Sequence, residues 1–132
     1  MPQAEDDPSY WMELAADDLA SAEILKNGNA PPPNTIYHYH QAAEKVLKGL
    51  IVTTGNPFPF IHDLGELLKL YGEVGGKNVD EVAPLVLSLQ YRYQHLRYPR
   101  GERMTMGDVE VSRNAFLGLL LFLGIELPNK HL

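Results

Sequence analysis

The chain has 132 residues, a formal net charge of −6, 45% hydrophobic and 21% charged residues, and no cysteine. That length predicts a single domain able to remove roughly two-thirds of its unfolded surface from water. The absence of cysteine excludes a disulfide framework and thiolate metal or redox chemistry, and the acidic balance argues against non-specific duplex DNA binding, which needs a broad basic face. The opening residues MPQAEDDPSY are acidic and proline-bearing, unlike a signal peptide. The longest apolar run, Phe116 to Ile125, is too short to span a bilayer. The expectation is a cytoplasmic protein with a flexible tail over residues 1–8 and one domain over 9–132.

The first predicted helix starts at Pro8-Ser9 with Ser9 as N-cap. Trp11, Leu14, Ala15, Ala22 and Leu25 recur at helical spacing. Asp18 falls on the same stripe, so its carboxylate must find a partner or stay near an edge. A structural hydrogen bond or ion pair is the expected role. Asn27-Gly28-Asn29 tolerates the left-handed conformation and ends the helix. Pro31, Pro32 and Pro33 predict a stiff connector.

Asn34 or Thr35 caps the second helix, which runs to about Val52. Its core stripe is Ile36, Tyr39 or His40, Ala43, Leu47, Leu50 and Ile51. A polar stripe of His38, Gln41, Lys45 and Lys48 projects to one face. Glu44 precedes Lys48 by one turn, a pair worth about a few tenths of a kcal/mol on an exposed face. His38 and His40 are two apart and point to different sides, a poor metal pair. No metal site or cofactor is expected.

After the loop Thr54 to Pro59, Asp63 caps a short helix carrying Leu64, Leu67, Leu68 and Tyr71, with Glu66 completing a capping pattern. Asn78 or Asp80 opens the next helix, which tolerates Pro84 early on and buries Val82, Leu85, Val86, Leu89 and Tyr93. Pro99 ends it near Leu96 or Tyr98. Asp108 caps the last helix, whose Val109, Phe116, Leu119, Leu120 and Leu123 leave it apolar most of the way round; Pro128 ends it. A helix of that kind is central to the core or covered by another chain. No period-two strand appears.

One stretch departs from the acidic background. All five arginines lie between Arg92 and Arg113, and four of them fall in YRYQHLRYPRGER, residues 91–103. Guanidinium groups bind phosphate bidentately and tyrosines stack on bases, so a phosphate or nucleotide surface is one reading. The other is a helix C-terminus whose cations favour the dipole end. The chain has no Gly-x-x-x-x-Gly-Lys phosphate loop, no Gly-x-Gly-x-x-Gly turn and no Gly-x-Ser-x-Gly elbow.

Four ordered pieces resemble the HEPN domain family, the helical domains named for higher eukaryotes and prokaryotes nucleotide-binding. Trp11, Ala15, Asp18-Leu19 and Ala22 are similar to its first helix. Gln41 to Leu50, QAAEKVLKGL, resembles its second-helix signature almost continuously. His62-Asp63-Leu64 and Arg97-Tyr98-Pro99 match two further stretches. The resemblance implies an all-α, up-and-down four-helix bundle with a short additional helix, usually a homodimer. It implies a nucleotide or RNA phosphate site using Lys45, Lys48, His62, Asp63, Arg97 and Tyr98, with Asp18, Gln41 and Lys45 as a possible polar network. It also implies pairing with a minimal nucleotidyltransferase in a toxin–antitoxin-like system.

The ribonucleases of that family carry an Arg followed after about four to six residues by a His. Here Arg92 precedes His95 by three, so this pair is a weak catalytic candidate. The expectation is therefore a nucleotide-binding module, with a metal-independent RNase or a pure protein-interaction module as alternatives.

Overall fold

The structure, a computed structural model, describes residues 3–97 and 103–129. The side chain of Arg97 lies outside what is described. A 3-10 turn, Ala4–Asp6, leads into α1 (Pro8–Asn27), α2 (Pro32–Thr53), α3 (Leu64–Glu73), α4 (Val79–Arg97) and α5 (Met106–Leu123). The protein is all-helical, with no strand among the described residues. The four long helices form the bundle and α3 is the short addition.

Consecutive long helices run antiparallel. Along α1 and α2 the pairings are Trp11 with Lys48, Asp18 with Lys45, and Glu23 with Tyr39. Along α4 and α5, Arg92 meets Asp108 at one end and Asn78 reaches the Phe122 carbonyl at the other. α2 touches α1, α3, α4 and α5. Of its predicted stripe, Ile36, Tyr39, Ala43, Leu47 and Ile51 are fully covered, while Leu50 is only partly buried. Ala42 and Val46 are buried as well, because partners surround this helix rather than one side of it. Alanines 15, 16 and 22 on α1 let α2 approach closely. Gly49 is required at that contact: a Cβ there would meet Trp11 Cβ at 3.0 Å and Met12 Cε at 2.9 Å.

Several helix ends differ from expectation by a few residues. Asp7, not Ser9, caps α1, accepting from the Ser9 N–H at 2.9 Å, and Pro8 takes the first helical position, where no N–H is needed. Pro32 and Pro33 likewise form the first turn of α2 instead of a separate connector, so the cap is Pro31 and not Asn34 or Thr35. Asp63 caps α3 as expected. Thr105 caps α5, and Asp108 is the third helical residue that closes the capping box. Gly124, at φ 67°, ends α5 before Pro128 is reached. The N-terminal segment is tied down through the Trp11 indole, which donates to the Glu5 carbonyl at 2.9 Å.

Candidate functional site

The polar groups of α2 gather around two carboxylates, Asp18 and Glu44. Toward α1, Asp18 accepts from His38 Nδ1 at 2.9 Å and from Lys45 Nζ at 2.7 Å. Its side chain is only 16% exposed, so the Lys45 ammonium and the His38 N–H together offset the loss of water. Gln41 does not join them. It donates to the Tyr37 hydroxyl at 2.9 Å, and its own Oε1 is buried without a partner. The cluster joins Asp18, Lys45 and His38, and Gln41 lies outside it.

Further along α2, beside the α2–α3 loop, lies a second cluster. Glu44 Oε2 accepts from Lys48 Nζ at 3.2 Å and from His62 Nδ1 at 3.3 Å. The side chains of Glu44 and Lys48 are 7% and 5% exposed, so this pair is buried and not the exposed surface pair that the one-turn spacing suggested. The reason is that α1 and the α2–α3 loop close over this part of α2: Lys48 Nζ sits 5.7 Å from the centre of the Trp11 ring, a cation–π contact. His62 itself is 79% exposed. Asp63, beside it, is spent on capping α3 through the Glu66 N–H at 3.0 Å.

One turn from Glu44, His40 is buried and faces α4. Gln90 Oε1 accepts from the Leu64 N–H at 2.9 Å and lies 3.3 Å from His40 Nε2. An amide oxygen only accepts, so His40 carries its proton on Nε2. Its Nδ1 lone pair is buried without a partner. Burial lowers the His40 pKa; the Gln90 hydrogen bond and the Glu44 and Asp63 charges oppose that shift. The neutral ring stacks on Tyr93, with centroids 3.8 Å apart and planes 13° apart. Tyr37 lies 6.4 Å from Tyr93. The result is an aromatic seat of Tyr37, Tyr93 and His40 between α2 and α4.

Arg97 is the last residue of α4, one turn beyond Tyr93. Tyr98 lies outside the described residues. Arg92 faces away from the seat: its Nε donates to Asp108 at 3.3 Å and its Nη1 to Ser88 Oγ at 2.8 Å. Burial would raise the Asp108 carboxyl, but the Thr105 hydrogen bonds and then the Arg92 charge and hydrogen bond hold it below its usual range. His95 is half-buried on α4. A third network, where Glu23 Oε1 accepts from the Tyr39 hydroxyl at 3.0 Å and Arg113 Nε at 2.8 Å, ties α1, α2 and α5. Burial, then Glu23, pushes the Tyr39 hydroxyl pKa up. No group of three potential metal ligands occurs among the described residues.

The structure therefore joins Lys48 with His62, and Asp18 with Lys45, and brings in Glu44, His40, Gln90, Tyr93 and Tyr37. Lys45 and Lys48 are held by separate carboxylates, Asp18 and Glu44. Gln90 had no sequence signal, since its two partners are 26 and 50 residues away.

A helical bundle with a polar central helix, a short capped helix and an arginine-rich end to its third long helix is the class this fold defines. The chain belongs to the HEPN domain family, whose model matches residues 8–125. It is thus a member of a family of nucleotide-binding and RNase-like helical domains. No match is found among curated proteins or solved structures. No helix among the described residues is long and apolar enough to cross a membrane.

Proposed function

We propose that this domain binds a nucleotide or single-stranded RNA through its phosphates at the C-terminal end of α4. Arg97 is the anion contact and Tyr98 its neighbour. The observation that carries this reading is the aromatic seat of Tyr37, Tyr93 and His40 one turn before Arg97. Planar rings stack on bases, and guanidinium forks match phosphate oxygens. Tyr37 keeps 41% of its surface exposed, so the seat is reachable from solvent.

In this reading Lys45, Lys48 and Asp63 position the site, because each is committed to a carboxylate or a helix end. His62 stays accessible for a ligand. The RNase alternative has less support, since Arg92 already spends Nε and Nη1 within the fold. A homodimer fits the exposed Leu87 and Tyr91, 60% and 63% exposed and one turn apart on α4. A minimal nucleotidyltransferase partner in a toxin–antitoxin-like pair, in the cytoplasm, belongs to the same proposal.

The test is calorimetric titration with AMP and a short oligoadenylate at two salt concentrations. Binding is expected to weaken with salt, and Arg97→Ala to weaken it about tenfold or more while leaving the melting curve unchanged. Unchanged affinity in Arg97→Ala overturns the assignment.

A further inference from the structure

We propose that the loop between α2 and α3 is a docking surface for a cationic amphipathic helix of a partner protein, with Phe60 as its apolar anchor. None of its apolar residues belongs to the phosphate site at the end of α4. Phe60 is 84% exposed, more than any other large apolar side chain among the described residues. It does not stand alone. Pro57 is exposed and Phe58, Pro59 and Ile61 are half-buried, so residues 57–61 form an unbroken apolar run at the surface. An exposed apolar run with a polar rim marks an interaction surface.

The anchor is held before any partner arrives. The Phe60 ring lies 4.7 Å from Phe58, which lies 5.5 Å from the buried Trp11. Ile61 packs against the core. Pro57 and Pro59 fix their own φ and restrict the residue before each. A ring presented by a stiff, internally packed loop has little conformational freedom left to lose on binding.

Carboxylates stand at both ends of this row of rings. At the Trp11 end, the indole holds the Glu5 carbonyl at 2.9 Å, and Glu5 opens the consecutive acids Glu5, Asp6 and Asp7. Residues 1–25 contain no lysine, arginine or histidine. Beyond Phe60, Asp63 caps α3 and Glu66 is exposed in its first turn. The nearby cations are committed: Lys48 is buried against Glu44, and His62 Nδ1 donates to the same carboxylate. The next lysine along the chain, Lys69, comes more than one turn into α3.

That charge pattern selects the occupant. An apolar stripe flanked by lysine or arginine complements an apolar run with carboxylates at its ends. A second copy of this chain fits poorly, because a two-fold contact brings the same patch against itself and opposes like charges. Phosphate backbones and anionic lipid surfaces meet the same repulsion. In such a contact the rim charges set the encounter rate and its salt dependence, and the aromatic anchor sets the residence time.

The experiment titrates the protein with a short synthetic leucine–lysine helix and with its leucine–glutamate counterpart. Calorimetry is one readout and emission of the single tryptophan, Trp11, is the other. The lysine peptide is expected to bind wild type, and the glutamate peptide at least about tenfold more weakly. Phe60→Ala should weaken the lysine peptide about tenfold while leaving the melting curve unchanged, and Phe60→Leu should keep most of the affinity. Glu5→Gln with Glu66→Gln should reduce the salt dependence of binding. No binding of the lysine peptide, equal binding of the two peptides, or equal affinity in Phe60→Ala and wild type overturns the assignment. A concentration-dependent dimer that disappears in Phe60→Ala assigns the ring to a second copy and also overturns it. Tetra-adenylate affinity that falls in Phe60→Ala while peptide affinity holds assigns the ring to nucleic acid, with the same consequence.

Discussion

Replacing Lys48 by methionine removes the one fully buried cation that faces Glu44 while keeping the aliphatic stem against Trp11. Wild-type Glu44 is 7% exposed on its side chain and its Oε2 has two partners, Lys48 and His62. His62 is 79% exposed, so water screens it and it offsets little of the buried charge. Removing one member of a buried ion pair costs about 3–5 kcal/mol, because the remaining charge stays out of water unpaired. Against a total stability of about 5–15 kcal/mol this is roughly a fifth or more. In melting temperature it corresponds to a fall of roughly 10 °C or more for a domain of this size. Urea and thermal unfolding followed by far-ultraviolet circular dichroism measure it directly. The double variant Glu44→Gln, Lys48→Met should recover part of the loss, since no charge is then buried. A Lys48→Met protein within about 1 kcal/mol of wild type, with the double variant no better, would refute the buried-pair argument.

Other perturbations read other parts of the structure. His40 has its folded pKa lowered by burial, so between that value and the ordinary 6.5 the unfolded chain binds more protons than the folded one. Stability should therefore fall as pH drops through about 6.5, and His40→Gln should flatten that slope in a pH series of urea melts. Asp108→Ala removes the capping box of α5 and the Arg92 partner together; a loss of about 1–2 kcal/mol is expected, with Arg92→Ala strongly non-additive in a double-mutant cycle. Gly49→Ala places a methyl 3.0 Å from Trp11 Cβ, which cannot swing away as Met12 can, and should cost about 1–3 kcal/mol by calorimetric melting.

How much of this was legible in the sequence differs from residue to residue. The α2 core stripe was, because Ile36, Ala43, Leu47 and Ile51 obey the helical period and nothing overrides it. The family was legible too, since its pieces spread over nearly the whole chain and the family model matches residues 8–125. The α3 cap, Asp63, was placed on the right residue, whereas those of α1 and α5 were placed within a turn but on the wrong one: Asp7 and Ser9, or Thr105 and Asp108, are equally able acceptors, and backbone geometry decides between them. Glu44 and Lys48 were misread as an exposed pair because local spacing carries no information on what packs over a face. Asp18 was correctly expected to need a partner, yet His38 as one of the two depends on how α1 and α2 align. Gln90, Tyr93 and His40 meet only through the tertiary fold, so no local pattern announces the aromatic seat.

The most direct test of the central claim is mapping of amide chemical shifts during titration with a short oligoadenylate. The account predicts that the largest changes fall on Tyr37, His40, Tyr93 and Arg97. Changes confined to the exposed face of α5 around Leu121 and Phe122, with the α4 end unmoved, would contradict it.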